Sequence, residues 1–132
     1  MSDRRLHSTG TEWEARVGYS RAVRVGRHVY VSGTLGVGPD GAPPAGAYAQ
    51  SVAALERIGG ALEALGSSLA DVVRTRMYVV DVEQHQFDVG RAHAEYFSAV
   101  RPASTMIGIA GLVGPEFLVE IEVEAIVAPA GA

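Results

Sequence analysis

Three glutamates that alternate with apolar residues could supply acid–base chemistry near the end of the chain. Glu120, Glu122 and Glu124 are separated by Ile121 and Val123. A period of two is typical of a β-strand with one apolar face and one acidic face. A carboxylate can act as a general base on an attacking water when burial tunes its pKa. The pattern therefore indicates either a solvated or arginine-paired strand face or part of a hydrolytic site.

A second stretch offers cations at the same spacing. Arg74, Arg76 and Tyr78 share one face of a strand predicted from Ala70 to Asp81. Because an unpaired buried carboxylate is costly, we predict that Arg76 is a structural counter-ion for the glutamates. The alternative hypothesis is that Arg76 or Arg101 binds the carboxylate of a ligand. Arg76→Ala would then abolish binding of that ligand.

Composition removes several other kinds of chemistry. The chain of 132 residues has no cysteine, which excludes disulfides, thiolate metal sites and a cysteine nucleophile. Ser32 lacks the Gly-x-Ser-x-Gly context of a nucleophile, so we interpret it as a hydrogen-bonding wall residue. The histidines share no metal-ligand spacing, and we expect no metal; they are His7, His28, His85 and His93.

Charge and hydropathy restrict the partners and the location. The net charge is −4 and no basic run is present, so we expect no nucleic-acid partner. The polar start of the chain leads into no apolar segment, and no apolar run approaches the ~18 residues of a membrane span. A cytoplasmic protein with no membrane partner is the expectation.

Strands and helices must position these groups, and the first predicted elements are a hairpin and a helix. Arg21–Val25 and His28–Gly33 predict two short strands joined at Gly26, followed by a loop up to Gly46. Apolar residues at spacings of three and four predict a helix from about Ala47 to Leu65, ended by Gly66.

Later elements follow the same two periods. In the predicted strand 70–81, Val73, Thr75, Met77 and Val79 should face the helices. A second helix is predicted from Glu83 to Val100, before Pro102. Two strands close the chain, with a turn at Gly114–Pro115 between them. The inner stripe of the second helix should consist of Phe87, Val89 with Gly90, Ala94 and Phe97.

The order β-β-α-β-α-β-β favours a single α+β domain over residues 1–132, with one mixed sheet and both helices on one face. Residues 1–17 are predicted to be an N-terminal arm, with Trp13 anchoring it or stacking on a ligand, and 128–132 a frayed tail. Because the helix-free face would carry apolar residues among its charges, we predict that other subunits cover it.

Five blocks in order resemble the reactive-intermediate deaminase (Rid, YjgF-type) family, from about Tyr19 to Val127. The blocks are Gly18-Tyr19-Ser20-Arg21-Ala22-Val23, Val31-Ser32-Gly33, the strand from Asp71 to Val79, Pro102-Ala103-Ser104-Thr105 and Glu120-Ile121-Glu122-Val123-Glu124-Ala125.

The resemblance implies a Rid/chorismate-mutase-like domain that forms a homotrimer with a small-molecule cleft between neighbouring subunits. It also implies hydrolysis of reactive enamine or imine intermediates to a keto acid and ammonia, without cofactor or metal. By position, Glu122 would orient the attacking water. The substrate-binding positions would be Tyr19, Ser32, Gly33 and Ser104.

Ser104 departs from the family pattern, because the block Pro-Ala-Arg-Ser has arginine at that position. A guanidinium grips a carboxylate through two charge-assisted hydrogen bonds, whereas a serine hydroxyl offers one neutral bond. The difference corresponds to about 1–3 kcal/mol of binding. Three readings stay open: a deaminase-like hydrolase, a non-catalytic trimer that binds a metabolite or partner protein, and a purely structural trimer.

Overall fold

The strand of alternating glutamates, Val119–Ile126, lies inside a six-stranded mixed sheet. The computed structural model describes residues 3–131. Strand order across the sheet is β1-β2-β3-β6-β4-β5; β4 and β5 are parallel and all other neighbours are antiparallel. The elements in chain order are β1 (Arg4–His7), α1 (Glu12–Val17), β2 (Ala22–Val25), β3 (His28–Leu35), α2 (Ala47–Ala64), β4 (Val72–Val80), α3 (Val82–Phe97), β5 (Ala103–Ile109) and β6 (Val119–Ile126).

The predicted α+β architecture is confirmed. The hairpin β2–β3 turns at Gly26, which has a φ of 59°, and α2 ends before Gly66, which has a φ of 77°. The core lies between the sheet and the helices α2 and α3. Its largest fully buried apolar side chains are Phe97, Leu55, Ile58, Leu62, Ile121, Val29, Val79, Val89 and Val119.

The predicted order of elements lacks the strand and the helix that the structure forms within residues 3–17. Arg4–His7 pairs with β2 as a sixth strand, and α1 follows it. The four-residue strand has a single strongly apolar residue, Leu6, so it shows no alternation, and pairing with β2 defines it. Met1, Ser2 and Ala132, the ends of the predicted arm and tail, lie outside the described residues.

The facing pattern of β4 differs from the prediction at its start. Val72 is buried and Val73 is 42% exposed, the reverse of what we expected. The register with β6 shifts between Val72 and Arg74, which leaves Val73 as the extra residue of a bulge. From Thr75 onward the predicted alternation holds.

The inner stripe of α3 is correct at Val89 and Phe97 and wrong at Phe87 and Ala94. Phe87 is 80% exposed, and Ala94 is exposed as well, whereas Ala92 is buried. Phe87 lies two residues before Val89, about 200° around the helix axis, so one face cannot contain both side chains.

The helix-free face carries the charged residues that the sequence analysis assigned to it. On β4 and β6 these side chains face one another across the strands. The pairs are Arg74 with Glu124, Arg76 with Glu122, and Tyr78 with Glu120. No helix within residues 3–131 is both long and apolar enough to cross a membrane.

Candidate functional site

A cleft of about 840 Å³ opens at the end of β3, between the N-terminal segment and the loop that precedes β6. Aromatic, basic and acidic side chains from five parts of the chain meet there. Those that the chemistry uses are Trp13, Tyr19, Arg21, Gly33, Arg57 and Glu120.

Glu14 builds one wall of the cleft. Its carboxylate accepts hydrogen bonds from the hydroxyls of Ser8 at 2.6 Å, Thr9 at 2.5 Å and Thr11 at 2.9 Å. These bonds, those from Ser8 and Thr9 above all, lower the pKa of Glu14 from 4.5 to about 2. The prediction that Trp13 anchors this segment by packing is wrong, because Trp13 is 58% exposed and Glu14 is buried. Stacking of Trp13 on a ligand stays a prediction.

Tyr19 reaches the cleft because α1 stops abruptly before it. Gly18 adopts a φ of 90°, and the backbone N–H groups of Gly18 and Tyr19 both donate to the carbonyl of Glu14. The guanidinium of Arg21 lies 5.7 Å from the centre of the Tyr19 ring, within cation–π range.

Glu120 lies directly against the backbone of Gly33. A Cβ at Gly33 would be only 2.9 Å from the carboxyl carbon of Glu120, so a larger residue there would displace this carboxyl group. The register of β3 with β6 shifts between Val31 and Thr34, next to this contact. Burial raises the pKa of Glu120, and Glu122 adds to the rise, while Arg21 opposes it. Glu120 is thus a half-buried carboxyl with the character of a general base or acid.

Glu122 has a different environment on the same strand. It accepts a short hydrogen bond from the hydroxyl of Tyr78, which raises the pKa of that tyrosine. Arg76 lies 3.8 Å from Glu122 and 3.1 Å from Glu124, the ion pairs that the counter-ion prediction requires. These contacts already occupy the Arg76 guanidinium and the Glu122 carboxylate.

The two predicted serines lie apart from the cleft lining. Ser32 donates to the carbonyl of Ser20 at 2.6 Å. Ser104 is exposed on β5, and its hydroxyl lies 2.7 Å from that of the fully buried Thr75. Thr75 in turn lies 2.8 Å from Nε2 of His93, whose pKa is lowered by burial.

Of the residues predicted from the sequence, the structure brings Tyr19 and Gly33 together in the cleft. Ser32, Ser104, Arg76 and Glu122 are not in its lining. The sequence analysis missed Arg21, Arg57 and Glu120 as cleft residues. Arg21 lies within a quoted family block and Glu120 begins another, so a signal existed for both. No sequence signal marks Arg57, because its position in the cleft depends on how α2 packs against β3.

Within residues 3–131, no group of three or more histidine, aspartate or glutamate side chains is placed to hold a metal ion.

Comparison with known proteins gives one consistent family. The model of the Endoribonuclease L-PSP family matches residues 9–127. The chain is 36% identical over 130 residues to an uncharacterized protein of Streptomyces coelicolor, covering 92% of this chain and 90% of that protein. It is 32% identical over 125 residues to the rat 2-iminobutanoate/2-iminopropanoate deaminase, covering 93% and 88%.

Solved structures agree with the sequence matches. A crystal structure from Mycobacterium tuberculosis, of a member of the YjgF/YER057c/UK114 family, superposes with a TM-score of 0.86 at 46% identity. That match covers 95% of this chain and 100% of the other. The family match spans most of the chain and includes the N-terminal wall, the cleft and β6. The chain therefore belongs to the Endoribonuclease L-PSP family, which is the YjgF or Rid family of the sequence analysis.

Proposed function

We propose that this protein hydrolyses a reactive imine or enamine of a small keto acid, releasing the keto acid and ammonia, in the cleft that Tyr19, Gly33 and Glu120 line. The observation that carries the proposal is the half-buried carboxyl of Glu120 against Gly33, with its raised pKa, in a cleft large enough for a metabolite. Mammalian relatives named as 2-iminobutanoate/2-iminopropanoate deaminases support this class of substrate.

The reaction needs a water molecule and proton transfers. Water adds its oxygen to the imine carbon while Glu120 accepts a water proton, and Glu120 returns that proton to the substrate nitrogen. Glu120 then takes the proton of the hydroxyl so formed and delivers it to the amino nitrogen. Collapse of the resulting carbinolamine breaks the carbon–nitrogen bond and forms the ketone, and ammonia leaves. A base whose pKa is raised above that of an ordinary carboxylate is better matched to this exchange near neutral pH.

Glu122 is the position that the family resemblance selects for orienting water, and it stays a candidate. Its contacts with Tyr78 and Arg76 favour a supporting role, in which it fixes the strand that presents Glu120. The two glutamates therefore differ in expected effect: substitution of Glu120 should remove the base, whereas substitution of Glu122 should loosen its support.

We also propose that neighbouring copies in a homotrimer cover the helix-free face and complete the cleft. Exposed apolar side chains on that face support this arrangement, among them Tyr30 at 46% and Ile107 at 37% exposure. Tyr30 pairs with Glu124 and Ile107 with Tyr78, so both share a sheet face with the Arg76–Glu122 ion pair. Such a mixture of apolar and paired charged groups suits an interface.

Ammonia release from freshly generated 2-iminopropanoate tests the proposal. The wild type should accelerate release over the uncatalysed rate, and Glu120→Gln should reduce the acceleration about 100-fold or more. Glu122→Gln makes the same change of shape and charge, and it should reduce the acceleration less than Glu120→Gln does. A larger loss in Glu122→Gln would transfer the role to the position selected by resemblance.

A second candidate function is binding of a metabolite without catalysis, and Ser104 favours it. Ser104→Arg restores the family pattern in the block that begins at Pro102. Ammonia release by Ser104→Arg but not by the wild type would indicate a lost activity. No ammonia release by either protein would support binding without catalysis. RNA cleavage, which the family description names, is disfavoured by the net charge of −4, and a labelled single-stranded RNA serves as the control substrate.

A further inference from the structure

Two arginines line the cleft together although they come from distant parts of the chain. Arg21 precedes β2 and Arg57 lies on α2; both are half-buried. Arg21 donates through Nη2 to the carbonyl of Gly33 at 2.8 Å, and Arg57 through Nη1 to that of Leu35 at 2.5 Å. The end of β3 thus holds two guanidinium groups at one side of the same cavity.

Neither guanidinium forms an ion pair with a carboxylate within residues 3–131. Two carboxylates of the cleft act on these arginines beyond ion-pair distance: the charge of Glu14 raises the pKa of Arg57, and Arg21 opposes the rise in the pKa of Glu120. The Glu14 oxygens already accept hydrogen bonds from three hydroxyls. Arg21 also has a buried Nε with no hydrogen-bond partner among the described residues. Burial lowers the pKa of Arg57, and the charge of Arg21 adds to that effect. Two like charges are therefore held close together in a partly desolvated site.

Arg76 provides the internal contrast. Its guanidinium has two carboxylates within ion-pair distance and is already neutralised. Arg21 and Arg57 use backbone carbonyls instead, which orient a guanidinium without cancelling its charge. A guanidinium that keeps its full charge and has remaining N–H groups is suited to bind a planar anion.

We propose that Arg21 and Arg57 bind the carboxylate of the substrate, in place of the arginine that the family pattern has at Ser104. The inference rests on the proposed function for the identity of the substrate, but the anion site follows from the arginines alone. The exposed Trp13, with Val113 and Phe117, supplies an apolar lining beyond them. The ligand class is therefore a small 2-oxo or 2-imino acid with an apolar side chain.

Binding of 4-methyl-2-oxopentanoate and of its methyl ester to the wild type tests this directly. The ester keeps the keto group and the side chain but lacks the negative charge. Isothermal calorimetry gives the affinity, and the fluorescence of Trp13, the single tryptophan, reports occupancy of the cleft. The acid should bind at least tenfold more tightly than the ester, since charge-assisted bonds to a guanidinium are lost in the ester. Equal affinities, or no saturable binding of the acid, would overturn the inference.

Arginine variants then locate the anion. Arg21→Gln and Arg57→Gln should each weaken binding of the acid about tenfold or more and leave that of the ester nearly unchanged. Arg24→Gln is the matched control, because Arg24 also donates to a backbone carbonyl of the α2 end, that of Leu65, but lies outside the cleft lining. Equal acid affinity in all three variants contradicts the proposal.

Folding and catalysis are separated by two further readouts. If Arg57→Gln does not fold, Arg57→Lys replaces it in the binding test, because lysine keeps the charge but lacks the planar guanidinium. Thermal melting checks that every variant is folded. Loss of acid binding in the arginine variants while wild type releases no ammonia supports the clamp and removes the hydrolysis. If the wild type releases ammonia and the arginine substitutions leave acid binding unchanged, the hydrolysis is supported and the arginine clamp is contradicted.

Discussion

A single buried threonine contacts Ser104, the position where the sequence analysis expects an arginine in the family pattern. Thr75 is fully buried on β4, and its hydroxyl contacts both the Ser104 hydroxyl and the His93 ring. The serine thus has an internal partner that fixes its orientation. The three side chains form a hydrogen-bonded polar chain.

Thr75→Val should therefore destabilise the fold by about 1–3 kcal/mol, because a similar shape replaces the hydroxyl and leaves His93 without that partner. Ser104→Ala removes only the exposed end of the chain and should cost less than about 1 kcal/mol. Urea unfolding of both variants at neutral pH measures the difference. Equal stabilities of the two variants would mean that the buried contact contributes nothing.

Glu14 should make stability depend on pH in the acid range. Its pKa is about 2 in the folded chain, against an ordinary 4.5, so the folded state favours the ionised form. This contribution is complete above pH 4.5 and is lost as the pH falls toward about 2. Glu14→Gln should lower the free energy of unfolding at pH 7, by about 1–3 kcal/mol.

The gap between wild type and Glu14→Gln should narrow steadily from pH 4.5 downward. Chemical unfolding at a series of pH values gives the comparison. Glu12→Gln, on the same helix but exposed, is the control and should shift stability little. A gap that stays constant down to about pH 2 would contradict the assigned pKa.

At the scale of elements, a buried glutamine joins α2 to two loops beside the cleft. The Gln50 amide donates to the carbonyls of Pro44 and Glu116, and its oxygen accepts from the N–H of Leu118. The sequence analysis treated α2 as a helix with an apolar stripe, and Gln50 lies off that stripe. The structure buries it because these loops carry backbone groups that need partners.

Gly36 lets the end of β3 approach α2 at this same place. A Cβ there would be 2.0 Å from the backbone oxygen of Gln50, so Gly36→Ala must displace backbone and should cost about 1–3 kcal/mol. Gly60→Ala, on an exposed position of α2 with no atom within 4 Å, should instead stabilise by about 0.5–1 kcal/mol. Thermal or urea unfolding of this pair checks both signs. A Gly36→Ala protein as stable as wild type would contradict the close approach.

At the scale of the whole molecule, the two faces of the sheet differ in what covers them. Helices α2 and α3 cover one face, and the other carries paired charges with exposed apolar side chains. Homotrimer formation stays a prediction that this asymmetry supports.

Multi-angle light scattering of the wild type at micromolar concentration should give three times the chain mass of 13.8 kDa. Ile107→Asp places a charge on the helix-free face and should shift the protein toward monomer. Phe87→Asp is the control, because Phe87 is 80% exposed on the helix side, and this variant should stay trimeric. A monomeric wild type, or dissociation by Phe87→Asp alone, would contradict the predicted interface.

The sequence by itself determined the fold class and most of the elements. Regular periods identified α2 and β6, and glycines marked the ends of the hairpin and of α2, because these signals act over a few neighbouring residues. The sequence did not predict β1 or the bulge at Val73, because each depends on pairing with a partner strand.

Only the tertiary structure decided which charged groups meet. By spacing alone, Glu120, Glu122 and Glu124 are equivalent, and packing gives them different environments. Glu120 lies against Gly33, whereas Glu122 is paired with Arg76 and accepts a hydrogen bond from Tyr78. Arg21 and Arg57 meet for the same reason, because the packing of α2 beside β3 joins residues 36 positions apart in the chain. Electrostatic character depends on distance and burial, and neither is a local property of the chain.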